Sequence, residues 1–133
     1  MIDPKSTVPC SPDASTLCID DQNGDRRFKV VANFSTTSGG GRTGNAGAVG
    51  LGSLGVNHGG LFWFFSGDNP ELLVKVLNAC SFSHTIWVFF SATTNVGFSV
   101  TVTDTQTGHV VTHSNPDQNP AAPVQDTSAL PCG

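Results

Sequence analysis

The sequence predicts an all-β protein, an antiparallel sandwich held by two disulfides. Three observations carry that expectation. No window sustains a 3.6-residue apolar period, while β-branched and aromatic residues dominate the apolar set. Several runs alternate apolar and polar residues with a period of two, separated by turn formers. Four cysteines stand in a small chain of 133 residues without a close Cys-x-x-Cys pair.

The elements follow in order. Arg27 to Phe34 alternates, with Phe28, Val30, Ala32 and Phe34 sharing one face. Leu61 to Phe65 is apolar throughout, and Glu71 to Asn78 follows a turn cluster, Ser66-Gly67-Asp68-Asn69-Pro70. Thr85 to Phe90 is a second apolar run. Val96 to Asp104 sets Val96, Phe98, Val100 and Val102 inward and Ser99, Thr101 and Thr103 outward. Thr105-Gln106-Thr107-Gly108 then turns the chain into a strand from His109 to His113. Six strands on short loops make an antiparallel, immunoglobulin-like sandwich the natural architecture, one domain at this length.

Residues 1–26 are expected to form an N-terminal extension carrying a local disulfide loop, with residues 27–133 as the sandwich domain. Two parts of that domain break the pattern. Residues 39–60 hold ten of the fifteen glycines, yet Ala48, Val49, Leu51, Leu54 and Val56 interrupt them, so this insertion is expected to pack down with an irregular strand. From about residue 115, Pro116, Pro120, Pro123 and Pro131 predict a tail running extended along the surface.

Cys10, Cys18, Cys80 and Cys132 allow three pairings. The short loop between Cys10 and Cys18 favours local closure, which leaves Cys80 with Cys132. An even count in a small polar chain points to an oxidising compartment, hence a secreted or cell-surface protein. Charged residues make up 12% of the chain, and Lys plus Arg number six against ten Asp plus Glu. That balance lacks the footprint of a nucleic-acid binder. No apolar run is long enough to span a membrane as a helix.

Leu17-Cys18-Ile19-Asp20-Asp21-Gln22-Asn23-Gly24-Asp25-Arg26-Arg27-Phe28, Gly59-Gly60-Leu61-Phe62-Trp63-Phe64-Phe65 and Asp68-Asn69-Pro70-Glu71-Leu72 are distinctive strings. With Val74-Lys75-Val76-Leu77, Trp87-Val88-Phe89, Val102-Thr103-Asp104-Thr105 and Asp126-Thr127-Ser128-Ala129-Leu130-Pro131-Cys132, the chain resembles an uncharacterised module of secreted bacterial proteins. The match runs from about Cys10 to Cys132. The resemblance implies secretion and a β-sandwich that serves beside extracellular enzymes and repeat domains; it implies no catalytic residues. The chain departs from that module at Ser81-Phe82-Ser83-His84, where a polar Asn-Gly-type turn is usual.

Catalysis finds little support. No Gly-x-Ser-x-Gly elbow occurs, Glu71 is the single glutamate, and the aspartates lie mostly in loops. His109 and His113 would sit roughly 13 Å apart on one strand face, too far to share one zinc ion. Asp20, Asp21, Asn23 and Asp25 around Gly24 form a weak calcium candidate, since hard oxygen ligands suit that ion. The twelve-residue spacing and bidentate glutamate of an EF-hand are missing, and Arg26 and Arg27 beside the turn favour salt bridges instead; no cofactor is expected otherwise. Asn33-Phe34-Ser35 is a glycosylation sequon usable only in a eukaryotic secretory source.

The aromatic runs are the richest signal. Leu61, Trp63 and Phe65 oppose Phe62 and Phe64, and Trp87 and Phe89 oppose Ile86, Val88 and Phe90. A two-layer sandwich buries one face of each sheet, so apolar residues on both faces need a second cover or form an exposed platform. The glycine-rich segment is one candidate cover. Trp63 and Trp87 are the candidate ligand-binding platforms, with Lys75 placed to sit over an indole. The expectation is a non-catalytic accessory or adhesion module that binds an extracellular polysaccharide or protein. A self-assembling structural subunit and a small secreted enzyme inhibitor are the alternatives.

Overall fold

The computed structural model describes residues 10–21 and 24–133. Strand makes up 53% of it, in two five-stranded antiparallel sheets with one short helix. The first sheet contains β1 (Thr16–Ile19), β2 (Phe28–Thr36), β3 (Arg42–Asn45), β8 (Gly97–Asp104) and β9 (Val110–Asn115). The second contains β4 (Gly47–Gly50), β5 (Gly59–Trp63), β6 (Pro70–Asn78), β7 (Thr85–Ala92) and β10 (Val124–Pro131). Its strand order is β10-β7-β6-β5-β4, and that of the first is β1-β2-β8-β9. β1 pairs with Phe28 to Val31 and β3 with Asn33 to Thr36, so two short strands share one long edge of β2.

Alternation decides which side chains enter the core. Along β2, Phe28, Val30, Ala32 and Phe34 are buried while Lys29, Asn33 and Ser35 are exposed, as the period of two predicts. β8 contributes Phe98, Val100 and Val102, and β6 and β7 contribute Leu72, Val74, Val76, Ile86, Val88 and Phe90. The sheets meet through rings: Phe34 stacks on Phe64 at 5.2 Å, and Phe98 packs at 6.0 Å against both Phe64 and Phe90. Each such side chain fully removed from water stabilises by about 1.5–3 kcal/mol.

The segments that looked irregular have definite places. Leu17 and Ile19 of β1 are core residues, so the stretch before Phe28 supplies a strand to the first sheet. The tail, expected to run as a surface polyproline segment, pairs with β7 instead. Pro116, Pro120 and Pro123 precede β10 and Pro131 stands at its end, which leaves residues 124–130 with the amides a ladder needs. The glycine-rich segment folds as β3, β4, the start of β5 and two 3₁₀ turns, Ser38–Gly40 and Gly52–Leu54.

Two disulfides close the structure, Cys10–Cys18 and Cys80–Cys132, the pairing expected from loop length. Across the β1 and β4 side, the Ala48 amide donates to the Ala14 carbonyl at 2.9 Å and the Asp20 amide to Asn57 at 2.9 Å. Across the other side, His113 of β9 meets Asp126 of β10 at 2.9 Å. The β9–β10 loop is fastened by Asp117, whose carboxylate accepts the Thr37 amide at 2.9 Å and the Gly97 amide at 3.2 Å. The Thr37 amide first among these donors holds Asp117 well below the usual carboxylate range.

Candidate functional site

On the outer face of the second sheet, β6 presents Leu73, Lys75 and Leu77, and β7 presents Trp87, Phe89 and Ser91. Register sets Leu77 beside Trp87, Lys75 beside Phe89 and Leu73 beside Ser91. Lys75 therefore lies over a benzyl ring, its Nζ 5.2 Å from the Phe89 centroid, and not over an indole as its strand position suggested. Trp87 stands two residues before Phe89 on β7. The Trp87 ring stacks on Phe89 at 5.8 Å, and Phe82 meets Trp87 edge-on at 5.4 Å. The result is one continuous row, Lys75–Phe89–Trp87–Phe82, on a solvent-facing surface.

The far end of that row is built locally. The four-residue helix α1 (Cys80–Ser83) begins where Asn78 accepts the Cys80 amide at 3.0 Å. It ends where His84 adopts a left-handed φ of 63°. The Cys80–Cys132 bond ties this turn to the end of β10. Phe82 projects from it 68% exposed, a large apolar ring in water. The Trp87 Nε1 donates to Ser83 Oγ at 3.1 Å, so the indole's polar edge is satisfied internally and its apolar surface is what remains. At the opposite end, Leu73 is 48% exposed. A groove of about 210 Å³ runs there between Leu73, Lys75 and Phe89 and the β10 residues Val124 and Gln125.

Trp63 belongs to a different place. Pro70 of β6 lies opposite Trp63 and Leu77 lies opposite Trp87, seven residues apart, or roughly 24 Å along the strand. The two tryptophans do not form a joint platform. Gly47 pairs directly with Trp63, and a β-carbon at Gly47 would overlap the indole at Cε2 and Nε1. Here the glycine-rich segment does cover an aromatic ring, because only a residue without a β-carbon lets the backbone lie this close.

Alternation along β6 would set Glu71 on the face of Lys75; a register shift between Phe62 and Trp63 makes it the extra residue of a bulge instead. Its side chain turns inward, and Oε2 has no hydrogen-bond partner among the described residues. Burial raises its pKa above the ordinary glutamate value, and a Thr94 hydroxyl only partly offsets this.

The acidic turn is organised around an arginine. Asp21 is buried, accepts the Asp25 amide at 3.2 Å and stands 4.0 Å from Arg27 Nη1. The Asp20 amide donates to Asn57, and its carbonyl meets His58 Nδ1 at 3.0 Å. Asn23, another of the four calcium candidates, lies outside the described residues. Among the described residues no three His, Cys, Asp or Glu side chains are grouped to hold a metal ion. Arg27 makes its main contact with Asp104, through two hydrogen bonds of 2.8 Å from Nε and Nη2. Burial pushes Asp104 up, but the Arg27 hydrogen bonds and the Gln106 amide outweigh it, and the carboxyl stays below its usual range. Sequence reasoning did not single out Asp104. Its signal was there: an acid at the next inward position after Phe98, Val100 and Val102. His109 and His113 are separately engaged, with the Gly133 carbonyl at 3.1 Å and with Asp126.

Comparison of the chain with protein-family models, with curated proteins and with solved structures finds no match. The fold defines the class: a two-sheet, disulfide-held β-protein.

Proposed function

We propose that this chain is a secreted, non-catalytic accessory or adhesion module of immunoglobulin-like build, and that an extracellular protein docks on the outer face of its second sheet. The observation that carries the reading is the row Lys75–Phe89–Trp87–Phe82 with Leu73 beside it, an aromatic and aliphatic stripe on a solvent face. Rigid aromatic anchors of this kind dominate protein interfaces because they bury much apolar area at small entropic cost. The exposed Phe82 occupies the turn where the chain departs from the module it resembles, which fits a contact particular to this protein. A polysaccharide would also stack on such rings, but its hydroxyls need flanking polar groups, and this face supplies few beyond Lys75, Ser91 and Gln125. Two disulfides in a small domain fit an oxidising, extracellular setting.

The test is a photo-crosslinking side chain at position 82, exposed to extracellular proteins of the source, followed by titration of the captured protein. Phe82→Ala and Trp87→Ala should each weaken its binding at least about tenfold, the cost of losing a central aromatic anchor, while Trp63→Ala leaves it unchanged. Equal affinity for all three variants would discard this face. Retention on an insoluble polysaccharide, lost in Trp87→Ala, would replace the protein partner with a polymer.

A further inference from the structure

The two sheets have four lateral edges, and they are not equivalent. β4 and β1 face each other, stitched by the Ala48-to-Ala14 and Asp20-to-Asn57 backbone bonds. The β2 edge outside β8 is occupied by β1 and β3, each only four residues long. β10 loses register with β7 between Asp126 and Leu130, carries Asp126, and is bounded by Pro123 and Pro131. Short strands, bulges, charges and prolines are the usual means of blunting an edge. β9 has none of them. Val110-Val111-Thr112-His113-Ser114-Asn115 holds unbroken register with β8 from Thr103 to Phe98, contains no Lys, Arg, Asp, Glu or Pro, and starts with a Val110 that is 56% exposed.

The hydrogen-bond parity of β9 is fixed by two bonds in the neighbouring turn. The Asp104 amide donates to the His109 carbonyl at 2.9 Å, and the Thr105 amide donates across β2 to Arg27 at 3.0 Å. Since parity alternates, Val111, His113 and Asn115 bond to β8, whereas the amides and carbonyls of Val110, Thr112 and Ser114 point away from the sheet. Among the described residues no strand pairs with that side. The outward set is self-complementary. A two-fold axis at Thr112 would place Thr112 against Thr112 and Val110 against Ser114 of a second copy, matching every donor to an acceptor with no fixed charge opposed to itself.

We infer that β9 is an edge-pairing site for a second copy of this chain, and that pairing stops at the dimer. Among the described residues one edge is left open, and a single open edge gives an isologous contact that closes on itself, whereas a filament needs two. A six-residue strand is a small interface by the standards of stable dimers, so association is weak. The site is independent of the aromatic face, which belongs to the other sheet.

Sedimentation equilibrium of the oxidised protein, from about 20 μM to about 1 mM, reads the inference directly. The weight-average mass should rise from 13.8 kDa towards twice that value and level off there. Thr112→Pro removes one outward amide without touching the bonds to β8, a position where an edge strand accepts proline. It should remain at 13.8 kDa at every concentration, with an unchanged circular-dichroism spectrum and melting temperature. Thr112→Lys, which adds a like charge at the two-fold, should do the same and serves if the proline variant fails to fold. Phe82→Ala should dimerise like the parent. A parent that stays monomeric throughout, a mass that keeps climbing past the dimer, or dimerisation abolished by Phe82→Ala but not by either Thr112 variant would each overturn the inference.

Discussion

Replacing Asp104 by asparagine leaves the Arg27 guanidinium buried beside a neutral partner. The side chains of Arg27 and Asp104 are 9% and 0% exposed and share two 2.8 Å hydrogen bonds, so little solvent is available to take over the charge. Removing one member of such a buried pair costs about 3–5 kcal/mol, because the other is left uncompensated. Asp21, 4.0 Å from Arg27, and the remaining amide oxygen of the new asparagine place this variant near the lower end. A chain of 133 residues has an unfolding entropy of roughly 280 cal/mol/K, so 3–5 kcal/mol lowers the melting temperature by about 11–18 °C. Urea and thermal melts at pH 7 with both disulfides intact measure this. Arg27→Gln with Asp104→Asn together should lose less than the sum of the two single variants, since each single change strands the other partner. The parent should also lose stability on acidification. Asp104 is held below its ordinary pKa, so its contribution is present above the ordinary carboxylate range and disappears as pH falls through the depressed value. In Asp104→Asn that acid-dependent component is absent. A loss under about 1 kcal/mol at pH 7, or strictly additive single and double variants, would refute a desolvated, coupled pair.

Two further perturbations test how the remaining parts are held. By the chain-entropy relation, breaking Cys80–Cys132, which spans 52 residues, should cost about 4 kcal/mol, against about 2.5 kcal/mol for Cys10–Cys18, which spans 8; paired Cys→Ala melts measure the difference, and an inverted order would contradict it. Gly47→Ala drives a methyl into the Trp63 indole and should cost about 1–3 kcal/mol. In a Trp87→Phe background the Trp63 emission should shift to the red and become more quenchable by acrylamide, whereas Gly50→Ala, with open space at its β-carbon, should change neither.

Strands whose two faces differ were legible from local pattern alone. Phe28 to Phe34 and Val96 to Val102 alternate so regularly that their inward faces could be read residue by residue, because a period of two is imposed by local backbone geometry. The disulfide pairing was also legible, since loop length favours Cys10 with Cys18 and leaves the other two. β1, β3, β4 and β10 were not legible as regular strands. They are short, rich in glycine, or flanked by proline, and their extended form is stabilised by partners far away in sequence: β10 by β7, β1 and β3 by β2. The same holds for the candidate site. Trp87 and Phe89 could be assigned to one shared face of their strand, but the β6–β7 register decided that Lys75 covers Phe89, and a bulge in the β5–β6 pairing took Glu71 off that face. Register likewise set Trp63 under Gly47, far from Trp87. Periodicity is a property of one strand and can be read from it; which residue lies opposite which is a property of two strands, fixed only when the tertiary structure brings them together.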